Sequence, residues 1–204
     1  IFAHKGGFDL MLGNPPWLLV GWESSAVLGD YEPMLVLRKF SANKAEALRD
    51  DIFAANPTVA DQWRAEYEAT AGTQNFLGDI SNYPLLQGQK ANLYKCFLPQ
   101  AWDNTSPLGV SGFLHPEGVY DDPKGGELRK AIYPRLRLHC QFQNEFGLFE
   151  GTNDHGRMRF GMQVYARHSE QVNFFHISNL FAPFTIDQCF NHDGSGQVGG
   201  IKEE

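Results

Sequence analysis

Phe8-Asp9-Leu10-Met11-Leu12-Gly13-Asn14-Pro15-Pro16-Trp17, near the start of this 204-residue chain, carries its strongest structural signal. Its first half is a short apolar run and reads as a strand buried in a sheet. Its second half reads as a stiff polar strand end. Pro15 and Pro16 fix their own φ angles and bias Asn14 away from the helical region. The Asn14 side chain is therefore held still, and the prolines offer carbonyls without competing N–H groups. An exocyclic NH₂ would donate one hydrogen to the Asn14 side-chain oxygen and the other to the Pro15 carbonyl. Both acceptors favour a tetrahedral nitrogen with its lone pair aimed at an incoming electrophile. Such a site works by preorganised geometry and needs no strong base. Trp17 adds a broad face for a planar ring. The plain alternative is a turn after a strand, with Trp17 in the core. The strand before and the aromatic after favour the clamp.

Composition sets bounds on the rest. A chain of this length is one natural domain with a real core. No apolar run approaches membrane-spanning length and no secretory segment is visible, so a cytoplasmic protein without membrane contact is expected. Cys96, Cys140 and Cys189 lie far apart in the sequence, with neither metal spacing nor a disulfide framework, so they read as reduced. The histidines do not cluster, and no metal site is expected. His115, His139 and His176 fall in apolar stretches and read as satisfied structural residues. The formal net charge of -7 argues against this segment gripping DNA by itself. Arg129, Lys130, Arg135, Arg137, Arg157 and Arg159 are local cations, read first as solvated surface.

Along the chain, Asn43 to Ala55 predicts a helix with Asn43 and Glu46 as a capping box. A second helix is predicted over 58–71, from Thr58 as N-cap to Gly72 as terminator. Residues 74–89 are rich in Gly and Pro and read as loop. A helix follows over 92–102, a buried strand over 109–114, and a short helix over 127–133. Strands are predicted over 137–146, 159–167 and 172–177, and a helical turn over 186–190. Residues 18–90 are longer than a strand-to-helix connection needs and read as a helical insertion. It either shapes a substrate channel or packs as a lid without substrate contact. The organisation expected is strand and clamp over 1–17, insertion over 18–90, core over 91–182, and a tail toward a further domain over 183–204. Gly194-Ser195-Gly196-Gln197-Val198-Gly199 matches a GxGxxG pattern but has no strand before it and no helix after it, which discounts it as a cofactor loop.

Residues 8–17, FDLMLGNPPW, resemble the catalytic motif of adenine-N6 DNA methyltransferases, usually (D/N/S)PP(Y/F/W). The resemblance is narrower to the modification halves of single-chain restriction-modification and phage-defence enzymes. Asn92-Leu93-Tyr94-Lys95-Cys96-Phe97 is similar to that family's helix beginning D/N-L-Y. GVSGFLHP over 109–116 is similar to its next core strand. Leu148-Phe149 and RFGMQVYA over 159–166 are similar to its late loop and strand. The resemblance implies an α/β fold, part of a doubly wound class I methyltransferase-like sheet with a helical insertion. It implies S-adenosylmethionine as cofactor and double-stranded DNA with a flipped adenine as partner, held mainly by a recognition domain outside this segment. Asn14, Pro15, Pro16 and Trp17 would be catalytic. Phe149 and Phe160 would stack on the base, and Gly13 and Asn92 would touch the cofactor. Most of the donor loop is expected outside the segment, which would then be inactive alone.

Two other readings stand beside this one. The clamp also resembles that of methyltransferases acting on protein glutamine or RNA guanine, which the long insertion disfavours. A non-catalytic methyltransferase-like binding module would keep the clamp and lack any donor turn.

Overall fold

The computed structural model describes residues 6–38, 40–146 and 158–199. It is a mixed α/β structure built on a five-stranded sheet, the α/β class expected from the sequence. The strands are β1 (Phe8–Gly13), β2 (Thr105–Pro116), β3 (Leu136–Gln143), β4 (Arg159–Tyr165) and β5 (Phe175–Leu180). Their spatial order is β1-β2-β4-β3-β5. β1 lies parallel to β2, β2 and β3 each lie antiparallel to β4, and β3 lies parallel to β5.

The helices are α1 (Ser24–Leu28), α2 (Met34–Leu37), α3 (Ala42–Ala55), α4 (Pro57–Gly78), α5 (Leu93–Asn104), α6 (Gly118–Asp121), α7 (Gly126–Ile132) and α8 (Phe184–Phe190). Leu98 and Ala101 of α5 pack with Val119, Leu128 and Ile132 against Phe113, Leu136 and Tyr165 of the sheet. Full burial of a side chain such as Leu98 is worth about 1.5–3 kcal/mol. A second cluster joins Cys140, Phe142, Phe160 and Leu180, with Trp17 and Ile186 packed against it.

The excursion between β1 and α5 leaves and returns at one point. Val20 N–H donates to the Ala91 carbonyl (2.8 Å) and Leu93 N–H to the Leu18 carbonyl (2.9 Å). The Gln74 amide adds a bond to the Val20 carbonyl (2.9 Å). Helices α1 to α4 carry a small core of their own, Leu28, Leu35 and Val59. An aromatic group surrounds it: Trp63 stacks on Tyr67 at 5.7 Å, and Trp22 meets both edge-on.

Several local expectations need correction. β1 is not buried: Leu10 is 57% and Leu12 75% exposed. It lies at the end of the strand order, where pairing satisfies one side only. The Asn43–Glu46 capping box is absent, since α3 is capped at Ser41 with no side-chain bond. α4 begins after Asn56 and runs through Gly72 to Gly78, because continuing the helix buries Leu77. Part of the expected loop over 74–89 is therefore helix, and Pro84–Leu86 adds a 3₁₀ turn. Gly194 to Gly199 lies in bends and turns.

Candidate active site at the end of the first strand

Parallel pairing sets the position of the clamp. Gly13 is in register with Phe113, so the chain leaves β1 level with Leu114 of β2. Trp17 turns back over this end, and its indole N–H donates to the Leu114 carbonyl (3.3 Å). The indole is half-buried, with Phe160 behind it at a ring distance of 6.0 Å and a tilt of 33°. Phe160 is stacked in turn on Phe142 at 5.3 Å. The Trp17 ring is thus fixed by one hydrogen bond and an aromatic column.

Asn14 is exposed, and its side chain has no hydrogen-bond partner among the described residues. Pro15 is buried and Pro16 exposed. The local backbone is therefore anchored while the amide points at solvent. An amide so placed presents one acceptor and two donors to an incoming group.

The other sequence-derived candidates lie at different depths. Phe160 is only 3% exposed and backs the Trp17 indole without an open face of its own. Phe149 lies outside the described residues. Gly13 is exposed at the strand end. Asn92 caps α5 beside Leu19, and its side-chain oxygen is buried without a hydrogen-bond partner. That orphaned acceptor, one bridge from the clamp, fits contact with a ligand donor.

A network that sequence reading missed stands at the same end of β2. Glu117 follows the strand and is 5% exposed. Its carboxylate accepts from His139 Nε2 (3.0 Å) and the Gln163 amide (3.3 Å) at one oxygen, and from the Gln141 amide (3.1 Å) at the other. A Cβ on Gly161 would collide with Gln163 Nε2 and Glu117 Oε1, so glycine leaves room for the network. Burial pushes the Glu117 carboxyl up, but the His139 and Gln141 hydrogen bonds outweigh it, and the group is held below its ordinary value. His115 faces the Tyr165 hydroxyl (2.9 Å) and the Pro116 carbonyl (2.9 Å), and burial pushes its imidazole down to about 4. His115 and His139 are thus buried and satisfied. The signal for Glu117 was present but ambiguous: it sits in a polar stretch that reads as an exposed loop.

Solved structures similar to this chain include proteins of restriction-modification systems. A type I restriction-modification methyltransferase subunit from Streptococcus thermophilus aligns over 97% of the chain at 12% identity and a TM-score of 0.44. A structure described as the modification subunit of a type I restriction enzyme from Vibrio vulnificus aligns over 95% at 11% identity and a TM-score of 0.46. The ATP-dependent Type ISP restriction-modification enzyme LlaBIII, bound to DNA, aligns over 87% at 12% identity and a TM-score of 0.42. The chain spans 29%, 33% and 10% of their respective lengths. No protein-family model matches the chain, and no curated protein matches it.

Among the described residues no cluster of His, Cys, Asp or Glu is arranged to hold a metal ion, and no helix is long and apolar enough to cross a membrane. Of the cations in the sequence, Arg129 donates to the carbonyls of Val119 and Asp122, and Arg137 to those of Pro134, Leu136 and Arg167. Arg159 reaches Asp121 at 3.5 Å and Lys130 reaches Glu127 at 4.0 Å. Arg157 lies outside the described residues.

Proposed function

We propose that this chain carries the acceptor-binding part of an adenine-N6 DNA methyltransferase site of restriction-modification or phage-defence type. The observation that supports this reading is an exposed amide without a partner at the end of β1, next to an indole locked in place. A flipped adenine laid on Trp17 would bring its amino group to the Asn14 oxygen and the Pro15 carbonyl. Two accepted hydrogen bonds would shift that nitrogen toward a tetrahedral geometry with its lone pair free. S-adenosylmethionine would supply the electrophilic methyl group. Gly13 and Asn92 would meet the donor. Phe160 and the Leu114 carbonyl would keep the indole still while the base is held. DNA affinity would come mainly from parts other than this acidic segment.

The test uses the protein that carries this chain, incubated with labelled S-adenosylmethionine and three acceptors: adenine-containing duplex, a glutamine peptide and structured RNA. N6-methyladenine in the duplex is the expected product. Label on the peptide or on RNA guanine would move the function to another acceptor class. An absence of transfer to all three would leave a binding module and reject the enzyme reading.

A further inference from the structure

A cavity of about 370 Å³ opens at the end of the sheet opposite the clamp. Its walls come from the start of β2 (Thr105, Ser106, Ser111), the end of β4 (Tyr165, Arg167, His168), and Trp102 with Arg135. Three features set it apart in a chain of net charge -7. First, neither Arg135 nor Arg167 forms a salt bridge among the described residues. Arg135 lies over the Trp102 ring at 4.9 Å and gives one N–H to the Ala131 carbonyl (2.9 Å). Arg167 and His168 stand exposed at the rim, without side-chain partners among the described residues. Second, the Trp102 indole N–H is buried with no acceptor, and Ser111, 1% exposed, has a hydroxyl with no partner among the described residues. Third, neither neighbouring carboxylate forms an ion pair with these guanidiniums among the described residues. Asp9 is taken by the Ser106 hydroxyl (3.1 Å), and Asp103 acts on Arg135 only from a distance.

Arg135 and Arg167 line one cavity and neither forms a salt bridge among the described residues, a pairing suited to a phosphate group. The volume exceeds that of bare phosphate, and the flanking walls of Trp102, Pro107 and Tyr165 suit a flat organic body. We infer that this cavity binds a phosphate ester of mononucleotide size, with Arg135 and Arg167 on the phosphate. The site is separate from the clamp and does not depend on the methyl-transfer reading.

The experiment is isothermal titration of the protein that carries this chain with AMP, inorganic phosphate, adenosine and a short DNA duplex. AMP is expected to bind, phosphate to compete with it more weakly, and adenosine not to displace it. Arg167→Ala removes a side chain that has no partner among the described residues. It should weaken AMP binding about tenfold or more at unchanged melting temperature. Asn14→Ala should leave AMP affinity unchanged. Binding of the duplex alone, lost in Arg167→Ala, would support the phosphate site and make its source the nucleic-acid backbone. No binding of AMP, phosphate or duplex at millimolar concentration would overturn the proposal. So would AMP binding that Arg167→Ala leaves intact, or that Asn14→Ala abolishes.

Discussion

Asn14, Trp17 and Glu117 show how differently single residues can be read. The place of Asn14 and Trp17 just after a strand was legible, because two prolines leave the backbone few options. Glu117 was not, because nothing local distinguishes a buried carboxylate from a loop one. Its partners His139, Gln141 and Gln163 come from two other strands. Trp17→Ala should weaken capture of an extruded base by about 1–3 kcal/mol. A fluorescent adenine analogue would report it, and an unaltered extrusion signal would remove Trp17 from the base site. The histidine beside this network gives a pH prediction. His115 is neutral in the fold, with its value lowered to about 4 against an ordinary value near 6.5. Between those values the unfolded chain binds the proton more readily, so stability falls as pH drops through that window. The loss at the low end is up to about 3 kcal/mol. Glu117 adds a loss at still lower pH, as acidity passes through its lowered value. Urea unfolding at pH 7 and pH 5 should show the first drop, and His115→Gln should flatten it. Equal midpoints for the wild type would contradict the buried, neutral assignment.

Strands and helices were legible where the apolar spacing was strong. The helix opening at Asn92, the strand around Gly109 to Leu114 and the turn at Ile186 all appear near their expected bounds. The exposure of β1 was not legible, because an apolar run has the same sequence at a sheet's edge as at its centre. The end of α4 was missed for a related reason. Gly72 is a helix terminator by local preference, and burial of Leu77 one turn later overrides it. The excursion from Leu18 to Ala91 is tolerated because its two ends are hydrogen-bonded together, leaving the strand-to-helix geometry of the core intact. Its own core is small, so it should fail first. Leu28, 2% exposed, is one of its three buried apolar residues. Leu28→Ala should cost about 2–5 kcal/mol locally. Hydrogen exchange is then expected to accelerate across α1 to α4 while the amides of β2 and β4 stay protected. Equal acceleration in both regions would show that the helices and the sheet unfold as one unit.

Across the whole molecule, the sheet presents two chemically different ends. One carries an exposed amide, a fixed indole and a buried carboxylate network. The other carries two arginines around a cavity, neither in a salt bridge among the described residues. The sequence pointed to the first through one motif. It did not reveal the second, because Trp102 of α5, Arg135 before β3 and Arg167 after β4 come together only when these elements pack. The central claim is that Asn14 prepares an amino group for methylation. It is tested most directly by single-turnover methyl transfer to an adenine-containing duplex, comparing Asn14→Ala with wild type in the protein that carries this chain. Donor affinity is measured in parallel. The account predicts a loss of about 10²–10³-fold or more in the transfer rate with nearly unchanged donor binding. Transfer at a near-normal rate in Asn14→Ala would contradict it.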